Sequence, residues 1–555
     1  MPTGRSPRPW LLLFLYFAVL LAPSGSVSII ETTEARYAEI AREMMASWDY
    51  LEPRLNGIKH FHKPPLPYWM VAAGFRLFVP GNFGARFFGV VFACFAVLYL
   101  YRTARVVLGD ERKAFRAALV FATSMMFLVV ARIASTEIYL VAFTVAAQFH
   151  LFRRVCGERN ARDAPLFGLF LALGFLVKGH IVFAFTLLPL LAAKAIDREH
   201  RSLFRPVEIL AGTALFLAVA LPWYLLVAAK NPGLLPYFLK VHAVERIATD
   251  RFHRYQPFYY FLYILAGTFV PYVLYLARGA ASYRLLPARI STLLACYIVL
   301  PFLVFSAVKG KHATYIAPLY GVLAVFASDS LSRFPGKRLE LAGAALVWIL
   351  AAAPGVAGFA VPSLKGMRLP LLAASAVSLM MAWRAHAHRS DDRFLQWAAG
   401  LLLFLATIGT GAYASISRET RAYETMTAAI NRADPDRRLD ILVYRGHLPS
   451  VSFYRGRLAA MAFGMPREVQ FESDEAWRES YIDNQESLAR YLAARKELFV
   501  VSPEENMESL LAERPMACGA VFGTKRFTAY RCAREGAPAA TPRVEPDRPV
   551  AGPNR

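Results

Sequence analysis

Several short stretches place carboxylates and cations beside apolar runs, where such groups are costly to keep. Glu31-Thr-Thr-Glu-Ala-Arg-Tyr-Ala-Glu follows the first run, Arg132 and Glu137 flank another, and Lys178-Gly-His180 closes a third. His242 and Arg246 sit in a longer polar segment, and Lys309, Lys311, His312 and Tyr315 precede a later run. Ionisable groups in or against a bilayer are expensive enough to count as candidates for function. Cations converging with carboxylates suit transfer from a phosphate leaving group: Lys and Arg neutralise the developing charge, and a carboxylate takes the acceptor's proton. Two readings without chemistry stand beside this one, the anchoring of helix ends and the binding of lipid headgroups.

The elements that must position these residues follow from composition. The chain has 555 residues, 56% of them hydrophobic, a mean hydropathy of +0.37 and a net charge of +23, which marks a polytopic membrane protein. From Ile416 onward 21 Lys and Arg face 20 Asp and Glu, so the basic excess belongs to the first 415 residues. No soluble basic domain is left to carry a nucleic-acid footprint. Cys94, Cys156 and Cys296 are scattered, whereas Cys518 and Cys532 share the tail and could pair in an oxidising compartment. Aromatic residues at 14% suit interfacial belts, and the fourteen Met suit packing.

A hydrocarbon core of about 30 Å needs roughly 20 apolar residues per helix. About thirteen candidates start near residues 10, 83, 114, 136, 165, 180, 207, 258, 290, 313, 338, 367 and 394. Trp10–Leu21 could be a signal peptide; an uncleaved first helix is preferred. With the N-terminus cytoplasmic, 24 of the basic residues before Ile416 fall on the inside and 18 on the outside. An odd helix count then places the tail outside, and the 18 outward cations suggest an anionic partner there. Two outward segments are long, 31–78 and 230–257. In the first, Tyr37, Ile40, Ala41, Met44, Met45 and Trp48 recur at helical spacing opposite Glu39, Arg42 and Glu43, which predicts a helix lying in the membrane interface. The tail alternates strand-like runs (439–444, 497–501, 519–522, 527–531) with a helical pattern at 484–495, which predicts a small α+β domain. Its last twenty residues are Pro- and Ala-rich and read as disordered.

Thr33-Glu-Ala-Arg-Tyr-Ala-Glu-Ile-Ala-Arg-Glu-Met, Pro53-Arg-Leu-Asn-Gly and His62-Lys-Pro-Pro-Leu-Pro-Tyr-Trp together resemble the N-terminal signature of bacterial membrane glycosyltransferases of the aminoarabinose-transferase and protein O-mannosyltransferase group. Leu221-Pro-Trp-Tyr, the 237–246 segment, Phe305-Ser-Ala-Val-Lys-Gly-Lys-His-Ala-Thr-Tyr-Ile-Ala-Pro and Leu448-Pro-Ser-Val-Ser-Phe-Tyr extend the resemblance over most of the chain. The resemblance implies a C-type enzyme of the inner membrane that takes a sugar, 4-amino-4-deoxy-L-arabinose in the nearest relatives, from undecaprenyl phosphate at the periplasmic face. Its acceptor would be lipid A, another glycan or a protein. By position Arg36, Lys63 and Arg246 would hold the donor phosphate, with Tyr315, Lys309 and Lys311 lining its site. His62 and His242 fall where the relatives bind a metal such as zinc, although the first ligand there is usually Glu. Thr33 stands where the family pattern Asp-Glu-x-Arg-Tyr begins with an acid. Either Glu34, the preferred candidate, Glu31 or Glu137 takes the role of base, or the acceptor is already ionised and needs none, or the activity is altered. A charge that merely stabilises a helix N-terminus is the alternative for Glu34.

The expected organisation is a transmembrane glycosyltransferase domain over 1–415, a periplasmic α+β domain over 416–535 and a disordered tail over 536–555. A polyprenyl-linked lipid transporter or flippase, or a noncatalytic relative that binds the donor lipid, are the competing readings. Against the transporter, no duplicated pair of interrupted helices is evident.

Overall fold

The computed structural model describes residues 9–158, 160–197, 203–238, 255–276, 287–333, 337–389, 393–420, 423–464 and 480–534. Two compact units divide the chain. One comprises 1–27, 48–53 and 61–415, the other 28–47, 54–60 and 416–555. The sequence reading kept all of 31–78 with the membrane part; 28–47 and 54–60 instead cluster with the tail.

The first unit is helical, and helical segments begin within a few residues of every expected start. Among the described residues, six helices are long and apolar enough to cross a bilayer: Asn82–Leu108, Pro206–Lys230, Ala288–Ala307, Arg338–Ala360, Pro362–Ala387 and Arg393–Ser417. A seventh crossing results if Glu111–Thr123 and Met125–Ala131, bent by 62° at their junction, form one span. The other expected spans are shorter or broken, because polar residues and Gly interrupt them. Asp163–Lys178 is one of these, closed at Gly179 with φ +65°, whereas Glu137–Val155 is a continuous 19-residue helix with Glu137 in its first turn and Arg153 and Arg154 in its last. Small residues set the helix spacing. A Cβ added to Gly168 would lie 2.1 Å from the carbonyl oxygen of Gly212, so the Asp163–Lys178 and Pro206–Lys230 helices meet backbone to backbone. Outward faces carry exposed Leu, Val, Phe and Trp, as lipid-facing surfaces do.

The second unit is built on a six-stranded sheet ordered β5-β4-β3-β6-β8-β7 (β3 Ile441–Tyr444, β4 Ala460–Ala462, β5 Tyr481–Ile482, β6 Glu497–Ser502, β7 Ala517–Gly523, β8 Thr528–Ala533). The strands β5, β4, β3 and β6 are parallel; β8 is antiparallel to both β6 and β7. The expected α+β segregation is corrected to an alternating α/β arrangement. Helices Pro449–Arg455, Gln485–Ala493 and Glu504–Glu513 carry the chain between strands, and the first two make the parallel pairing possible. Every residue of β3 is buried, which is why its sequence is a continuous apolar run. Cys518 and Cys532 are bonded across β7 and β8, as the shared tail suggested.

A two-residue hairpin, β1 Arg54–Leu55 with β2 Ile58–Lys59, and the Thr33–Ser47 helix belong to this second unit. Residues from both faces of that helix are buried in the protein. Glu39 and Glu43 are buried with Ile40, Ala41 and Met44. Glu39 takes a bidentate pair from Arg42 at 2.7 Å. Glu43 accepts from the amides of Asn56 (2.6 Å) and Gly57 (2.9 Å), and burial with the neighbouring Glu39 charge raises its carboxyl well above the usual range, toward the neutral form.

Candidate active site

Within the helical unit several ion pairs join separate helices, among them Lys113–Asp329, Arg154–Glu208 and Lys178–Glu137; the last gathers the candidate site residues. Glu137 opens the Glu137–Val155 helix and Lys178 ends the Asp163–Lys178 helix, and Lys178 Nζ donates to Glu137 Oε1 at 2.8 Å. Both side chains are largely buried, at 14% and 7% exposure. Thr314 Oγ1 donates to the same carboxylate oxygen at 3.2 Å, and Thr136 Oγ1 donates to Oε2 at 2.7 Å. The Tyr315 ring faces Lys178 Nζ at 5.0 Å, a cation–π distance. Phe305 stacks on Phe185 at 5.0 Å and approaches Tyr315 at 6.2 Å, giving the site an aromatic wall.

Lys63, which is buried, lies within electrostatic reach of Glu137. A second ammonium group therefore stands near the carboxylate that Lys178 binds, and cations gathered in this way suit the receipt of a phosphate. With both carboxylate oxygens accepting hydrogen bonds, Glu137 is placed to fix Lys178 and Thr314 as much as to take a proton.

The structure brings together Glu137, Lys63 and Tyr315 from the residues expected by sequence, and adds Lys178 and Thr314. Lys178 was visible as a cation at the end of an apolar run, yet nothing local connected it to Glu137, 41 positions away. Lys309 and Lys311 lie on a strap beside this cluster's Thr314. Gln256 N donates to the carbonyl of Lys309 at 3.3 Å, and Lys311 Nζ donates to the carbonyl of Gln256 at 2.8 Å. The strap thus anchors the end of the 230–257 segment, and Lys311 is committed to a backbone carbonyl. His62 is half-buried next to Lys63. His242 and Arg246 lie outside the described residues. Among the described residues no group of three or more His, Cys, Asp or Glu side chains is arranged to hold a metal ion.

Glu34 and Arg36 belong to the second unit. Glu34 is fully buried and its Oε2 accepts from the amide of Ile30 at 3.0 Å, a capping contact at the start of the Thr33–Ser47 helix. Arg36 Nε donates to the carbonyl of Thr32 at 3.0 Å. The Leu448-Pro-Ser-Val-Ser-Phe-Tyr motif forms the helix to which this segment is tied. Glu31 accepts from Ser450, Asn56 Nδ2 donates to Ser452 Oγ at 2.8 Å, and the amide of Ile29 donates to Tyr454 OH at 2.8 Å. His447, just before that helix, lies 3.3 Å from Met461 Sδ and 3.4 Å from Tyr481 OH. Burial, reinforced by the charge of Arg36, pushes its imidazole down to about 3.

Residues 62–225 match the family of dolichyl-phosphate-mannose-protein mannosyltransferases. The chain is 29% identical over 454 residues to the undecaprenyl phosphate-alpha-4-amino-4-deoxy-L-arabinose arabinosyl transferase of Edwardsiella ictaluri, covering 77% of this chain and 81% of that one. It is 31% identical over 350 residues to a transferase of the same name from Sodalis glossinidius, covering 60% and 62%. The fold is that of ArnT from Cupriavidus metallidurans: the undecaprenyl-phosphate-bound structure superposes with a TM-score of 0.81 at 19% identity over 95% of this chain and 98% of that one. The apo structure gives 0.83 over 94% and 98%. The resemblance carried by the N-terminal motifs is borne out by these matches.

Proposed function

We propose that this chain, a multi-pass membrane glycosyltransferase of the aminoarabinose-transferase and protein O-mannosyltransferase group, moves a sugar from undecaprenyl phosphate to lipid A or another envelope acceptor. The observation that carries the reading is the convergence of Lys178 and Lys63 on Glu137 beside Tyr315. Lys63 and Lys178 take the charge that develops on the departing phosphate, with Arg246 and Arg36 as further contacts. Tyr315 holds Lys178 in place through its ring. Glu137 keeps the two ammonium groups close together in the absence of donor, and on donor binding the phosphate competes with it for them.

The acceptor oxygen attacks the anomeric carbon as the carbon–phosphate oxygen bond breaks, so a single displacement inverts that centre. The acceptor's proton goes to a carboxylate, Glu137 or Glu34, or is already absent where the acceptor is itself a phosphate; Thr33 cannot take it. A zinc ion on His62 and His242 would add a Lewis acid near the phosphate. With no third ligand among the described residues, no step is routed through it.

In this reading the thirteen helical segments all cross the inner membrane, the N-terminus is cytoplasmic and the α/β unit is periplasmic. The basic loops support that orientation.

The test uses purified protein with undecaprenyl-phosphate-linked aminoarabinose and lipid A, following free undecaprenyl phosphate and the mass of the acceptor. Equal release and acceptor gain support transfer. Movement of intact donor between leaflets without release would mark a flippase instead, and donor binding with neither would mark a noncatalytic relative.

A further inference from the structure

Arg132 is the one intramembrane cation of the sequence reading that the site above does not use. It ends the Met125–Ala131 helix, at the start of the unwound turn that leads to Glu137. Its Nη2 donates to Thr407 Oγ1 at 3.2 Å, near the middle of the Arg393–Thr420 helix, one of the spans long enough to cross the bilayer. The guanidinium also faces Tyr16 of the first helix, whose hydroxyl is already committed to the carbonyl of Ala122 at 2.7 Å. A guanidinium has five N–H donors. Here Nε is buried without a partner, and among the described residues no carboxylate pairs with the group. An unneutralised arginine at this depth is costly, and a purely structural role would be filled more cheaply by an apolar residue.

The surroundings open toward lipid. One turn beyond Thr407 on the same face is Gly411, which is exposed, and a Cβ added there would meet nothing within 4 Å. Gly409 is equally bare, and Val129, on the turn before Arg132, is 41% exposed. We infer that Arg132 and Thr407 form a second anion site, entered sideways from the bilayer across the bare face at Gly411, which holds the phosphate of a net-anionic membrane lipid. Arg132 and Glu137 are separated by five residues, at most about 18 Å of extended chain. They have different partners, so this site is distinct from the Glu137–Lys178 pair. The inference concerns binding and does not depend on the proposed reaction.

The test places the full-length protein in phosphatidylcholine nanodiscs doped with phosphatidylglycerol, a diphosphorylated glycolipid or undecaprenyl phosphate, and measures co-retained lipid by native mass spectrometry without turnover. The wild type is expected to enrich phosphatidylglycerol or the glycolipid at least fivefold over phosphatidylcholine. Whichever is enriched more identifies bulk lipid or acceptor as the source. Arg132→Gln should bring that enrichment close to parity, and Arg132→Lys should keep at least half of it. Gly411→Leu leaves the guanidinium intact but obstructs the entrance, and should lower enrichment with unchanged thermal unfolding; it decides the matter if Arg132→Gln does not fold. Undiminished enrichment in folded Arg132→Gln, or in Gly411→Leu, would overturn the site. So would a loss confined to undecaprenyl phosphate, because Arg132 would then belong to the donor site.

Discussion

Carboxylates meet opposite fates in the two units. Over residues 31–47, Glu31, Glu34, Glu39 and Glu43 are tied to a serine, backbone amides or an arginine within their own unit, and each contact caps or staples an element. At the mouth of the Glu137–Val155 helix a single carboxylate is held by an ammonium group from another helix, with a second cation in reach. A carboxylate held by donors of its own segment contributes to the local fold. One held by an ammonium group from another helix, with a further cation in reach, stands where a ligand's phosphate can compete for those cations.

The contrast is most directly broken at Lys178. Lys178→Met should lower sugar transfer by at least about 100-fold, the scale of losing a charge-stabilising donor, and should destabilise the helical unit by about 3 kcal/mol through the uncompensated carboxylate. Adding Glu137→Gln should restore the unfolding temperature without restoring transfer. Recovery of transfer in that double variant would mean that the pair is a structural staple like those of the second unit.

The disulfide comes next. Cys518→Ser should cost the α/β unit about 3 kcal/mol, as expected for a loop of 14 residues. Hydrogen exchange should show it as faster opening of β7 and β8, with the helices around Lys178 unaffected.

Glu43→Ala removes the acceptor for two buried amides and should cost about 2 kcal/mol. The expected sign is a lower unfolding midpoint with the donor's affinity per folded molecule kept. A changed donor affinity at full stability would move Glu43 out of the structural class.

The smallest effect is in the pH dependence of His447. Its folded value of about 3 lies below the ordinary 6.5, so the unfolded chain binds the extra proton between these limits. The stabilisation is present above pH 6.5 and is lost as pH falls toward 3, amounting to at most about 2 kcal/mol at pH 5. Exchange of β3 amides at pH 7 and pH 5 should show the drop, and His447→Gln should flatten it.

Much of the fold was legible because a bilayer enforces it. Apolar runs near the expected starts became helices, the arrangement that satisfies backbone groups within one segment, and the tail's strands lie where alternating or continuous apolar runs stood, as burial on one or both faces of a sheet requires. The helix over Thr33–Ser47 was legible in its spacing, but the burial of Glu39 and Glu43 was not. Their partners, Arg42 for Glu39 and the Asn56–Gly57 turn for Glu43, are contacts that residue types alone do not show. Lys63, Glu137 and Tyr315 were recognisable from motifs, and Lys178 was visible only as one more cation at a helix end.

By itself the sequence determined the class of molecule, its helical segments, the separate tail and the family signature, because these depend on composition and on spacing within a few turns. Only the tertiary structure decided that Lys178 meets Glu137, that Arg132 has no carboxylate partner among the described residues, and that 28–47 and 54–60 pack with the tail. Those facts rest on contacts between residues tens to hundreds of positions apart, and the energy of a charge in a low-dielectric interior is set by what those distant residues bring beside it.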